Sequence, residues 1–84
     1  TFRSLNLARE AEKAGKTLPC AMNAANEEAA NAFLRGECGF LQIAEIVEEV
    51  MTLHTPQNVD LETLLQVDLQ SREQTQRIVR SKKG

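Results

Sequence analysis

Residues 19–36 read PCAMNAANEEAANAFLRG, a run rich in alanine and bounded by a proline and a glycine. Apolar side chains recur in it at the spacing of one helical face, at Met22, Ala25, Ala29 and Phe33. Proline fits the first turn of a helix, and glycine is favoured just beyond the last turn. We therefore predict a helix over residues 19–35, whose alanines let neighbouring helices approach to the lower end of the ~8–10 Å packing range.

A further helix is predicted on the N-terminal side, over residues 3–14. Its apolar positions follow the helical period at Leu7, Ala8, Ala11 and Ala14. Gly15 supplies a C-terminal stop, and a short turn leads from it to the alanine-rich helix.

Two more helices are predicted after Gly36. The helix over residues 41–53 carries the i, i+3, i+4, i+7 pattern of a core face, with Ile43, Ile46, Val47 and Val50. The helix over residues 61–80 follows Asp60, a favourable N-cap. We expect Leu61, Leu64 and Leu65 to bury its first two turns, and residues 80–84 to fray because they are polar and terminal.

The fold class that follows is all-α: one domain over residues 1–84, built as a compact antiparallel four-helix array with short loops. A chain of 84 residues with 42% hydrophobic residues and a net charge of −2 supports one small core and does not resemble a disordered protein. No apolar run is long enough for a membrane span, and the absence of Trp and Tyr argues against a single-stranded nucleic-acid surface. Because Thr1 rather than Met comes first, we expect the chain to be a segment of a longer protein.

A metal site is the first chemistry to consider. Glu45, Glu48 and Glu49 could form a carboxylate cluster, but their helical spacing favours an exposed acidic face. His54 is the only histidine, and the residue three positions before it is Met51, so the Glu-x-x-His motif of di-metal bundles is absent. We expect His54 to interact with the dipole of the helix that ends beside it.

The nucleophiles do not form a recognisable catalytic pattern either. Cys20 and Cys38 stand at opposite ends of the predicted helix over 19–35, ~25 Å apart at 1.5 Å per residue, so we expect two free, reduced thiols of the kind found in the cytoplasm. No Cys-x-x-Cys spacing suggests zinc, and no glycine-rich loop suggests a phosphate cradle. The serines, none of which has a base beside it in sequence, are Ser4, Ser71 and Ser81.

Charge and amides are unevenly distributed. Residues 71–84 carry five bases and one acid, a net of +4, which fits cations matched to a helix C-terminus better than a phosphate-binding tail. Asp68 and Arg72 form an i, i+4 pair in the favourable order. The asparagines of the alanine-rich helix are poor helix formers, and we expect them to be buried amides that fix helix register rather than substrate ligands: Asn23, Asn26 and Asn31.

The stretch Asn23-Ala24-Ala25-Asn26-Glu27 places two asparagines within five positions of a helix, which is uncommon. Together with Phe33-Leu34, Phe40-Leu41 and the Asp68/Arg72 pair, it resembles the C-terminal domain of 1-deoxy-D-xylulose 5-phosphate reductoisomerases, and the resemblance covers nearly the whole chain. The chain departs from the family pattern at a few positions, Cys20, Ala21, Met22, Ala30 and Gln42 among them. Gln42 removes a carboxylate from the start of the helix over 41–53, which puts that cap in doubt.

The resemblance implies the C-terminal helical domain of an enzyme that converts 1-deoxy-D-xylulose 5-phosphate to 2-C-methyl-D-erythritol 4-phosphate in non-mevalonate isoprenoid biosynthesis. It implies NADPH and Mg²⁺ or Mn²⁺ as cofactors of the parent, bound upstream, together with a homodimer formed by other domains. No residue of this chain matches the family's catalytic, cofactor or metal positions. We therefore expect the segment alone to be inert and to support the catalytic domain of the same chain. The alternative is a stand-alone helical interaction module.

Overall fold

The computed structural model describes Arg9 and residues 15–83. These residues form three helices: α1 (Leu18–Leu34), α2 (Gln42–Leu53) and α3 (Leu61–Lys83). No strand occurs in this part of the chain, and the all-α class is confirmed there. The antiparallel four-helix array is not confirmed, because three helices are found and the helix predicted over residues 3–14 lies, apart from Arg9, outside the described residues.

The ends of α1 lie where proline and glycine predicted them, within one residue. Pro19 sits in the first turn. At the other end, Gly36 adopts a φ of +77°, a left-handed conformation that glycine takes without steric cost. The reversal lets the N–H of Glu37 donate to the carbonyl of Ala32 at 2.8 Å and the N–H of Gly36 donate to Phe33 at 2.9 Å. These two bonds form a Schellman cap, which satisfies carbonyls that the helix end would leave unpaired.

Small side chains bring α1 into contact with both other helices. Five of its alanines are at most 1% exposed: Ala21, Ala24, Ala25, Ala29 and Ala32. Two apolar clusters result, one around Ala25, Val47 and Val50 and the other around Ala29, Ile46 and Val79. The predicted core face of α2 is thus confirmed, with Ile43 only partly buried beside both clusters.

The contacts fix the direction of each helix. Thr17, just before α1, bonds to His54, just after α2, so these two helices run antiparallel. Cys20 contacts Leu64, and Glu28 bonds to Gln76 farther along both helices, so α1 and α3 lie side by side and point the same way. Among the described helices, none combines the length and apolar character that a bilayer crossing requires.

The N-cap predicted for α3 is confirmed, but its predicted C-terminal end is too early. The carboxylate of Asp60 accepts the backbone N–H of Thr63 at 2.8 Å. The helix continues to Lys83, beyond the predicted end at residue 80. One cause is tertiary, because the Lys82 ammonium lies 2.9 Å from the Glu49 carboxylate of α2 and ties the last turn to its neighbour.

Several apolar residues predicted in the core are exposed. Leu61 and Leu65 are 74% and 63% exposed, although Leu64 between them is half-buried. The buried face of α3 is set instead by Val67, Ser71, Thr75 and Val79, and the leucines lie on its flank. At the far end of α1, Leu34 is exposed and Phe33 is only partly covered, its ring meeting Phe40 edge-on at 5.7 Å between centroids.

Replacing Ala29 with leucine tests the close approach of α1 to its neighbours. Ala29 is fully buried, so the added atoms would force the helices apart, at a cost of about 1–3 kcal/mol in the free energy of unfolding. Urea denaturation followed by helical circular dichroism measures the loss. Asn31→Leu, at an exposed position of the same helix, is the control and should not destabilise the chain. Equal stability of the two variants would contradict the packing.

Candidate functional site

The hydroxyl of Thr17 connects two distant parts of the chain. Thr17 is fully buried, and its oxygen accepts the backbone N–H of Gln57 at 2.9 Å. The same oxygen lies 2.8 Å from Nε2 of His54. Nε2 accepts the hydroxyl proton when the imidazole is protonated at Nδ1, and donates to the second lone pair of the oxygen when the proton is on Nε2. The turn before α1 is thereby joined to the segment after α2.

This arrangement corrects the role expected for His54. Its backbone N–H caps α2 by donating to Val50 at 3.0 Å, while its ring is held by Thr17 rather than by the helix dipole. Burial lowers the pKa of His54 from its ordinary value of 6.5, whereas a favourable interaction with the dipole would raise it. The histidine is a neutral structural group.

The carboxylates of α2 form the exposed acidic face that the sequence predicted. Glu45, Glu48 and Glu49 are all exposed, and Glu49 pairs with Lys82. Within Arg9 and residues 15–83, no group of three or more histidine, cysteine or acidic side chains is arranged to hold a metal ion. The basic C-terminal end of α3 meets this acidic face, because its Lys82 pairs with Glu49 of α2.

The two cysteines are free and separated, as predicted. The thiol of Cys20 points to the carbonyl of Leu64 at 3.5 Å, and the thiol of Cys38 points to that of Ala29 at 3.7 Å. Burial raises the pKa of both thiols. A raised pKa keeps the thiol protonated and lowers its reactivity as a nucleophile. The buried Ser71 has no link to the histidine, whose Nε2 is bound to Thr17.

Arg72 joins the two parallel helices at mid-height. Its Nε lies 2.9 Å from Asp68 on its own helix, which confirms the predicted pair, and its Nη1 lies 3.0 Å from Glu27 on α1. Hydrogen bonds from Asp68 and then Glu27 hold the pKa of Arg72 above its ordinary value. Glu27 belongs to the Asn-Ala-Ala-Asn-Glu stretch, so one member of that stretch acts in helix pairing. Sequence spacing alone does not reveal this contact between residues 45 positions apart.

The asparagines of the same stretch are not buried. Asn23, Asn26 and Asn31 are exposed, which makes the prediction of buried register-fixing amides wrong. The alanines between them take the buried positions, and the amides fall on the opposite side of the helix. Their poor helix propensity is therefore not offset by hydrogen bonds inside this part of the chain.

A shallow groove of about 280 Å³ lies between the C-terminal halves of α1 and α3. Its polar rim is internally paired: Gln76 donates to Glu28 at 2.8 Å, and Arg35 donates to Glu37 at 3.0 Å. Acids and bases alternate along its lining, so it presents no single-sign field to attract a charged ligand. Of these two contacts, the one between Gln76 and Glu28 joins α3 to α1.

Substituting Thr17 by valine tests the buried connection. Valine keeps the volume but leaves the Gln57 N–H without an acceptor and the His54 ring without its hydrogen-bond partner, which should lower the free energy of unfolding by about 1–3 kcal/mol. Thr52→Val is the matched control, since its exposed hydroxyl bonds only to Glu48 of its own helix. Urea unfolding of both variants measures the difference, and a Thr17→Val chain as stable as the control would refute the assignment.

The lowered pKa of His54 predicts a pH dependence of stability. The folded chain binds the proton more weakly than the unfolded chain, so the contribution of His54 is complete above pH 6.5 and is lost as the pH falls below it. Thermal unfolding between neutral pH and about pH 5 isolates this effect, since carboxylates stay largely ionised there. His54→Gln should flatten the dependence; an unchanged slope would show that another group is responsible.

Comparison with known proteins shows which proteins this chain is similar to. Residues 1–74 match the model described as the DXP reductoisomerase C-terminal domain. A relative from Protochlamydia amoebophila (strain UWE25) is 50% identical over 92% of this chain and 20% of its own length. One from Lysinibacillus sphaericus (strain C3-41) is 51% identical over 84% of this chain and 19% of its own length. Both are named 1-deoxy-D-xylulose 5-phosphate reductoisomerase.

The chain spans about a fifth of the length of these curated relatives. A third, from Xanthomonas oryzae pv. oryzae (strain PXO99A), bears the same name and is 48% identical over 90% of this chain. No solved structure gives a significant match to the 84-residue chain. With most of its length matched by the domain model, the chain belongs to the DXP reductoisomerase C-terminal domain family.

Proposed function

We propose that the chain is the C-terminal helical support domain of an NADPH-dependent reductoisomerase. The parent enzyme converts 1-deoxy-D-xylulose 5-phosphate to 2-C-methyl-D-erythritol 4-phosphate, a step of non-mevalonate isoprenoid biosynthesis in the cytoplasm. The observation that carries the proposal is the family match over residues 1–74, with relatives about five times longer that are named for this substrate.

The partner of this domain is the catalytic domain of the same chain. NADPH, the divalent Mg²⁺ or Mn²⁺ and the substrate bind in the rest of the parent, and other domains form its homodimer. The described residues offer no set of three ligands for the metal, so no step of the reaction is assigned to them. The domain contributes mechanical support, because a misplacement of ~1 Å in an active site can lower a rate about 100-fold.

The contacts within the domain suit a supporting role. Thr17 ties the start of α1 to the segment after α2, and Arg72 ties α1 to α3. Each of these contacts restricts the movement of one helix against another. A domain whose helices are held in this way presents a surface of constant shape to the catalytic domain that packs against it. A stand-alone interaction module could use the same rigidity, but the length of the relatives favours the parent enzyme.

Oxidation of NADPH tests the proposal directly. The full-length protein should oxidise NADPH with 1-deoxy-D-xylulose 5-phosphate and Mg²⁺, whereas the 84-residue chain alone should not. Deleting residues 1–84 from the full-length protein should lower kcat/KM at least about 100-fold, because the catalytic domain loses its support.

Two outcomes would contradict the proposal. Turnover by the 84-residue chain would show that chemistry resides in this segment. A full-length protein that folds, binds NADPH and leaves the substrate unchanged would assign the parent to another reaction. Thr52→Val in the full-length protein is the control for substitutions as such and should keep full activity, since its side chain bonds only within α2.

A further inference from the structure

Helix α3 has a second apolar face that none of the described helices covers. Leu61, Leu65 and Leu69 follow one another at intervals of four residues and are 74%, 63% and 60% exposed. The other face of α3, centred on Val67 and Ser71, is already buried against α1 and α2. A helix that is apolar on two sides is expected to be covered on both. We name the three leucines the leucine stripe.

The surface of α1 next to α3 carries a thiol, an amide and one paired carboxylate. Cys20 and Glu27 both contact α3, at Leu64 and Arg72. Asn23 lies between them on the same side of α1, at the i, i+3, i+7 spacing, and its side chain is exposed. An asparagine in mid-helix that bonds to nothing within the described chain lowers helix stability without a local benefit. Its exposed amide is free to bond to a partner surface.

The charged side chains at the edge of this face are paired with one another. Arg72 is held between Asp68 and Glu27, so the two acids and the base form one closed group. Protein interfaces commonly have a core depleted of unpaired charge and a polar rim. The leucine stripe with Asn23 as its amide and the Arg72 group as its rim has this composition.

The area of the face argues for a tethered occupant. Three leucines exposed to this degree offer on the order of 350 Å² of apolar surface, as large as the single largest patch on an ordinary monomer. A stable interface between separate proteins covers about 800 Å² on each partner, roughly twice as much. A tethered surface needs less, because the linker holds it at an effective concentration of about millimolar.

We infer that the leucine stripe and Asn23 form the docking face on which the upstream catalytic part of the same longer chain packs. This inference rests on the proposed function, which supplies the longer chain, and it adds which surface of the domain is used. The apolar tip around Leu34 and Leu41, at the other end of α1, lies outside this docking face.

Thiol accessibility in the full-length protein tests the docking face. Leu65→Cys and Leu34→Cys are introduced separately, and labelling by N-ethylmaleimide is followed by mass spectrometry of the peptides that contain each site. Both positions are exposed in the described helices. The Leu65→Cys thiol should label at least tenfold more slowly than the Leu34→Cys thiol. Equal rates, or slower labelling at position 34, would overturn the inference.

Photo-leucine incorporation identifies what covers the stripe. Cross-links from the peptides that carry Leu61, Leu65 and Leu69 should lead to sequences upstream of Thr1 in the same chain. Mixing isotopically light and heavy chains separates links within a chain from links between copies. Links to residues 1–14, to a second copy, or to nothing while core leucines do cross-link would each overturn the inference.

Asn23→Ala provides an independent check in two settings. In the 84-residue chain, alanine is the better helix former and should raise the Tm by about 2–4 °C. In the full-length protein, Asn23→Ala should speed the N-ethylmaleimide labelling of Leu65→Cys, because the amide contact to the covering surface is lost. A higher Tm of the 84-residue chain without faster labelling in the full-length protein would refute the role of Asn23. None of these readouts uses enzymatic activity, so an inactive full-length protein would refute the proposed function and leave the docking result intact.

Discussion

The close approach of α1 to α2 and α3 is the contact on which the rest of the domain depends. Alanines occupy its buried positions, so backbones rather than long side chains meet at the centre. The largest fully buried apolar side chains are only Ile46, Val50 and Val67. Such a core gains its stability from many short-range contacts at close fit, and little can be added or removed without opening a gap or forcing a shift. The geometry of the helices follows from this fit.

Polar groups then hold what the alanines bring together. Every buried polar side-chain atom of the described residues has a hydrogen-bond partner. Thr75, on the buried face of α3, donates its hydroxyl to Ser71 one turn earlier. Arg72 and Lys82 cross from α3 to α1 and α2 respectively. The contacts between helices thus lie at Thr17 before the start of α1, at Arg72 in the middle of α3 and at Lys82 near its end. Because they are spread along the bundle, they help a small core to keep one arrangement of its helices.

Much of this fold could be predicted from the sequence, because its signals were local. Pro19, Gly36 and Asp60 each act on the backbone beside them, and the helix bounds that they predict agree with the structure within one residue. At the departure from the family pattern, Gln42, the amide oxygen accepts the N–H of Gly39 at 2.7 Å, so a side-chain contact is present at this helix start.

The errors came from choices that depend on tertiary contacts. Leucines at 61 and 65 satisfy a helical period as well as Val67 and Ser71 do, and only the position of α1 decides which face is buried. The same holds for the asparagines, whose side of α1 was predicted as buried although the alanines beside them take that position. Lys82 likewise orders the end of α3 through a partner on another helix.

The Thr17 hydroxyl, which contacts both Gln57 and His54, limits where residues can be inserted into this domain. Residues 54–60 have no regular structure, yet the N–H of Gln57 must reach Thr17 and the carboxylate of Asp60 must stand at the first turn of α3. Only two residues separate these anchors. An insertion that an ordinary surface loop would absorb would here displace the start of α3 along α1, moving Arg72 away from Glu27.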